Sequence, residues 1–356
     1  MSALRSCIVK MENLSFPYAC ADPFLFCVYH KDLYPPSTTK LRVGNGADFD
    51  SNQPYRMYHG ETLPGFPQHP HRGFETVTAT LLGTIDHTDS MGSAGRYGGG
   101  DLQWMTAGKG VVHGEMFPMV NKDKPNTCRF FQIWLNLPAK SKMVDPSYVM
   151  HWNEDIPRIV SADGLSTVTV WAGSYGGKTG LTPPPHSWAS SPSSDVSMLH
   201  ISLRPGGRFT IPAAATSGVN RTLYWNEGSA LVVGEKAIRS KCAMTMDPTA
   251  PASLFNPSTS SSSDSDDDCV TELLMLQGRP IGEPVAQRGP FVMNTAAEIQ
   301  QAFLDYNRTQ FGGWPWKEDA VTFPSDKGRF TLQNQKEEFP PGAESAAKQK
   351  QDGQKI

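Results

Sequence analysis

Two short segments carry side chains whose types and spacing suit a transition metal. In HPHRGFET, His69 and His71 stand two residues apart, so on an extended strand both imidazoles project to the same face. In VVHGE, His113 and Glu115 repeat that spacing. Two such strands facing each other across a barrel would offer three imidazole nitrogens and one carboxylate oxygen, with coordination positions left for water or substrate. This donor set suits non-haem Fe(II), with Mn(II), Ni(II), Cu(II) and Zn(II) as rivals on ligand chemistry alone. A lone H-x-H on a strand is more often incidental. Two same-face pairs in a chain with nine histidines favour a metal site. His30, His59, His87, His151, His186 and His200 have no partner at ligand spacing and read as surface or satisfied core residues.

Such pairs need rigid strands, and the sequence supplies them. TVTATLL (residues 76–82) alternates small polar and apolar side chains, and FFQIWLNL (130–137) is a second β-rich run. Between them, SMGSAGRYGGGD (90–101) reads as glycine-rich turn punctuation. The second half repeats the texture in STVTVWAG (166–173), VSMLHISL (196–203), RTLYWNEG (221–228) and ALVVGE (230–235). With 32 Gly, 29 Pro and only 19% charged residues, the 356-residue chain reads as all-β and long enough for two barrels.

The expected division is an N-terminal barrel at 1–157, a C-terminal barrel without a metal site at 158–311, and a flexible tail at 312–356. The boundary falls in DPSYVMHWNEDIP (145–157), read as a short helix in a linker. Thr295 and Glu298 form a capping-box pattern, with Ile299, Ala302, Phe303 and Tyr306 on one face of an amphipathic helix that closes the C-terminal domain. Residues 34–56 and the tail read as solvated decoration. STSSSSDSDDD (258–268) reads as a mobile acidic loop and a site for serine phosphorylation.

Bulk chemistry excludes several classes. A net charge of −3 and a pI near 6.3 give no electrostatic case for direct nucleic-acid or anionic-membrane binding. Six cysteines without C-x-x-C spacing read as reduced intracellular thiols. There is no signal-peptide core and no apolar run near the about 18 residues of a membrane span. The expected compartment is the cytoplasm, the nucleus or both.

GFPQHPHRGFETV (65–77), GDLQWMTAGKGVVHGEM (100–116), FQIWLNLP (131–138) and EPVAQRGPFVMNT (283–295) resemble the signature segments of the pirin family, and DPFL (22–25) also fits. The resemblance spans about residues 15–311. It implies a bicupin fold of two stacked antiparallel β-barrels, and one Fe(II) in the N-terminal barrel on His69, His71, His113 and Glu115. Many cupins instead take their carboxylate from a Glu soon after H-x-H, which makes Glu75 the alternative ligand or a supporting charge. The C-terminal barrel has no H-x-H, in keeping with the family's loss of a second site.

The family is associated with quercetin 2,3-dioxygenase activity, which opens a flavonol ring with O₂ and releases carbon monoxide. On that reading Glu115 or Glu75 takes the flavonol proton, and Phe66, Phe74 and Trp104 are candidate pocket walls, although barrel aromatics are more often plain core. The competing reading is an iron-dependent nuclear co-regulator that docks on transcription-factor proteins without turnover. A monomer is expected in either case.

Overall fold

The computed structural model describes residues 7–38, 41, 50, 52–258 and 269–343. The chain divides into two compact units, one of Met1–Val28, Ile133–Asn136 and Ile156–Gly282, the other of Tyr29–Gln132, Leu137–Asp155 and Glu283–Ile356. Both are antiparallel β structures, and Ala296–Thr309 is the only α-helix among the described residues.

In the unit that holds His69 and His113, one sheet orders the strands Ser147–His151, Leu102–Thr106, Phe74–Leu82, Asn126–Asn136 and Phe24–Tyr34. The last two also supply residues to the other unit. A six-stranded sheet orders Lys336–Glu338, Phe330–Gln333, Ala94–Gly98, Thr84–Asp89, Val111–Met116 and Gly65–His71. Ile85 and Tyr97 of the larger sheet pack with Cys128 and Phe130 of the smaller one, so the core lies between the sheets. The alternating run at 76–82 is the heart of Phe74–Leu82, with Val77 and Ala79 fully buried.

The other unit sets Ile8–Asn13, Cys242–Met246, Asn220–Glu227, Thr271–Gly278, Ser197–Leu203, Ser166–Ala172 and Arg158–Val160 in one sheet. A smaller sheet holds Arg208–Ile211, Ala252–Phe255, Leu231–Val233 and Lys236–Ile238. Its core draws Val170, Leu199, Leu223 and Met275 from the first sheet and Phe209, Leu231 and Leu254 from the second.

Several elements differ from the sequence expectation. The segment expected as a linker helix holds the strand Ser147–His151, paired antiparallel with Leu102–Thr106. Aromatic and β-branched residues such as Tyr148 and Val149 fit a half-buried sheet surface, and the unpaired edge of Leu102–Thr106 decides the matter. The turn-like stretch 90–101 contains the strand Ala94–Gly98.

The terminal helix has the expected capping box, with Thr295 and Glu298 bonding each other's backbone. It belongs, however, to the unit of His69, where Ile299 and Ala302 pack against Phe291 and Met293.

The tail also departs from expectation. Phe330–Gln333 pairs with Ala94–Gly98, and Phe330 is buried. Asp319 bonds Gln68, and Trp316 Nε1 donates to the Asp89 carbonyl at 2.8 Å. The Arg96 guanidinium donates to the carbonyls of Phe323, Pro324 and Lys327 while paired with Asp86. This cover explains why Ala94–Gly98 is buried on both faces, where a barrel strand with one solvated face would alternate.

Of the insertion at 34–56, Asn52, Gln53 and Pro54 are exposed as expected, whereas Tyr34 and Leu41 are buried. Arg56 is buried and paired with Asp32 at 2.8 Å. The acidic serine loop lies outside the described residues apart from Ser258. All six cysteines are unpaired thiols. Among the described residues no helix is long and apolar enough to cross a membrane.

Candidate metal centre

The two histidine-bearing strands are direct neighbours. Gly65–His71 pairs with Val111–Met116 so that His69 faces His113 and His71 faces Val111, with a register irregularity between Phe66 and His69. That irregularity places His69 opposite His113 while Phe66 stands opposite Glu115.

At the end of the first strand the chain reverses at Gly73, where φ is +86°. A Cβ there would lie 2.0 Å from the Val292 carbonyl oxygen, so only glycine fits. Buried Lys142 secures the turn by donating from Nζ to the carbonyls of Gly73, at 2.7 Å, and Val292, at 3.1 Å.

One ring nitrogen each from His69, His71 and His113 converges to within 4.8 Å of the others. The ring centroids lie 4.5, 4.8 and 4.9 Å apart. Burial lowers the pKa of all three: His69 to about 4, despite some solvent contact, and His71 and His113 well below their usual value. Neutral imidazoles with free lone pairs are what a metal requires. His69 Nδ1 donates to the Pro67 carbonyl at 2.8 Å, which leaves Nε2 as the donor atom for an ion.

His113 provides the test of fit. Its side chain is fully buried, and among the described residues neither ring nitrogen has a hydrogen-bond partner. An unsatisfied buried polar atom costs about 1–3 kcal/mol, and an ion among the three imidazoles would satisfy one of these nitrogens. The residues present therefore fit a transition metal with nitrogen preference.

Glu115 stands beside this cluster. Its Oε2 is 3.9 Å from His113 Nε2 and accepts from Gln132 Nε2 at 2.8 Å. Its Oε1 accepts from Thr78 Oγ1 at 3.1 Å and the Tyr97 hydroxyl at 3.4 Å. Burial raises its pKa, opposed by the charge of His87 and by those hydrogen bonds.

Glu75 is equally buried but accepts from Thr106 Oγ1 at 2.6 Å and is not part of the imidazole cluster. Of the candidate pocket aromatics, Phe66 lies 6.1 Å from the His69 ring and Phe74 5.1 Å from the His71 ring, centroid to centroid. Trp104 is fully buried on the strand Leu102–Thr106.

Sequence reasoning set His87 aside. In the structure it pairs in register with Glu115, its ring centroid is 5.6 Å from that of His113, and its Nε2 lies 3.2 Å from Asp89 Oδ2. The signal was present, since His87 and Asp89 repeat the same i, i+2 spacing. Thr78, Tyr97 and Gln132 carried no such signal.

Comparison with known proteins bears on the family and the fold. The Pirin family model matches residues 38–135, and the model described as Pirin C-terminal cupin domain matches residues 198–312. A Pirin-like protein of Solanum lycopersicum is 38% identical over 68% of this chain and 75% of its own length. Pirin of Homo sapiens is 34% identical over 70% of this chain and 78% of its own. The crystal structure of a quercetin 2,3-dioxygenase from Acinetobacter baumannii superposes with a TM-score of 0.63 at 31% identity, covering 82% of this chain and 87% of that one. The fold is thus an all-β bicupin.

Proposed function

Because the chain belongs to the pirin family, we propose that it is a quercetin 2,3-dioxygenase-type cupin, holding one Fe(II) on His69, His71, His113 and Glu115 and opening flavonol-like hydroxy-ketones with O₂. The observation that carries this reading is the convergence of the imidazoles of His69, His71 and His113, the last with two buried ring nitrogens that have no hydrogen-bond partner among the described residues. The likeness to a solved quercetin 2,3-dioxygenase supports the reaction class.

Bound iron would supply a Lewis-acidic, redox-active centre with open positions for a chelating substrate and O₂. The protein's own part is orientation and proton handling. Antiparallel register sets His69 against His113, and Pro67 fixes the His69 tautomer. Thr78, Tyr97 and Gln132 hold the Glu115 carboxylate in one rotamer. Burial raises the proton affinity of Glu115, which suits it to accept the flavonol hydroxyl proton, with Glu75 as the second candidate.

The deciding experiment is aerobic incubation of iron-loaded protein with quercetin, against anaerobic and metal-free controls. Loss of flavonol absorbance with release of carbon monoxide is expected. Consumption no faster than in the controls would overturn the dioxygenase reading and leave the co-regulator that acts through protein partners without turnover.

A further inference from the structure

The unit without the histidine cluster holds a cavity of about 480 Å³ at one end of its barrel. The ends of Ser166–Ala172, Ser197–Leu203, Asn220–Glu227 and Thr271–Gly278 form its wall. Leu199, Ile211 and Met275, all members of the barrel core, form an apolar floor.

Side chains alternate along a strand, so the next inward positions towards the opening can be read from the register. Two residues out from Leu199 stands Ser197, from Met275 Gln277, and from core residue Leu223 Arg221. The open end of an apolar barrel therefore carries a polar rim with an arginine in it.

Arg221 is only 3% exposed. It pairs in register with Gln277, donates from Nε to Gln277 Oε1 at 2.7 Å and from Nη1 to the Pro212 carbonyl at 2.9 Å. A guanidinium has five N–H donors; among the described residues the Nη2 group of Arg221 has no hydrogen-bond partner and the side chain forms no ion pair.

Asp195 is held away from it. Asp195 Oδ1 accepts from Gln277 Nε2 at 3.1 Å, and Oδ2 accepts from the Thr216 amide and hydroxyl, each at 3.0 Å. The Gln277 amide thus spaces the acid from the base. Burial depresses the Arg221 pKa, eased by the more distant charges of Asp195 and Asp247.

A buried cation without a paired anion is costly, and a planar guanidinium with free donors matches a carboxylate fork. The cavity is within the usual size of roughly 300–1,000 Å³ for small-molecule sites, which pair apolar walls with a few convergent polar groups. Asp195, which also lines the cavity, and Asp247 oppose any anion there, so Arg221, the one cation of the lining, can offset a single negative charge but not two.

We propose that this cavity is a binding site for a small organic monocarboxylate, with the carboxylate on Arg221 and an aliphatic or aromatic body over Leu199, Ile211 and Met275. The site is independent of the histidine cluster and of the activity proposed there.

The test is calorimetric titration of metal-free full-length protein with benzoate. One benzoate per chain is expected, with affinity about tenfold or more weaker in Arg221→Gln, and no heat from benzyl alcohol or inorganic phosphate. Absence of benzoate binding, equal affinity in Arg221→Gln, or phosphate binding as tightly as benzoate would each overturn the proposal. Should Arg221→Gln fail to fold, wild-type crystals soaked in 4-bromobenzoate decide the question. An anomalous bromine peak beside Leu199 and Met275, with the carboxylate on Arg221, supports the site, whereas bromine elsewhere or nowhere refutes it.

Discussion

His69 and His113 are direct cross-strand partners, with ring centroids 4.5 Å apart. They are 44 positions apart in the chain by subtraction of their numbers, so only the antiparallel pairing of their strands brings them together. That relationship makes the metal site a property of one register, and a one-residue slip would send every side chain of a strand to the opposite face.

Replacing both partners should therefore empty the site. The wild-type chain is expected to carry about one iron after anaerobic Fe(II) loading, and His69→Ala/His113→Ala to retain less than about a tenth of it by elemental analysis. His200→Ala is the control, because His200 stacks on Trp171 and lies 3.4 Å from Glu272 in the other unit. Undiminished iron in the double variant contradicts the assignment.

The two carboxylates should separate under amide substitution. Glu115→Gln is expected to remove most flavonol turnover and weaken iron retention, since the proposed ligand loses its charge. Glu75→Gln keeps a partner for Thr106 and should slow turnover only modestly. The reverse order, read from kcat and iron content together, would move the carboxylate role to Glu75.

His30 should make stability pH-dependent. It is buried, its Nδ1 lies 2.7 Å from the Tyr58 hydroxyl, which itself donates to Asp32, and burial lowers its pKa to about 3 from 6.5. Between those values the unfolded chain binds a proton that the folded chain does not, so the folded state is destabilised as pH falls from 6.5 towards 3. The contribution is on the order of a few kcal/mol at the acid end. Urea unfolding of His30→Gln at pH 7.5 and pH 5 should show a smaller pH effect than wild type, and an unchanged slope would exclude His30 as its source.

Phe330 tests whether the tail is part of the fold. Its ring is 1% exposed and meets Phe323 at 4.9 Å between centroids. Phe330→Ala should cost roughly 3–5 kcal/mol, as for buried aromatics elsewhere, and speed amide exchange in Ala94–Gly98. A loss below about 1 kcal/mol in urea unfolding would mean that the segment is dispensable.

Features governed by local geometry were readable from the chain alone. The i, i+2 spacing of His69 with His71 and of His113 with Glu115 follows from the strand period, and the Thr295–Glu298 capping box from the helix turn. Features created by pairing distant segments were not. The three donors around Glu115 come from separate strands, at Thr78, Tyr97 and Gln132. The strand Ser147–His151 exists because an edge awaits it, and the polar tail residues are ordered because Arg96 and Asp86 present bonding groups to them. Arg221 in the sequence is one basic residue at the start of a strand, and only the closed barrel makes it a buried cation at the mouth of a cavity. A sequence period selects which face a side chain takes, whereas burial and charge pairing depend on what the rest of the chain brings to that face.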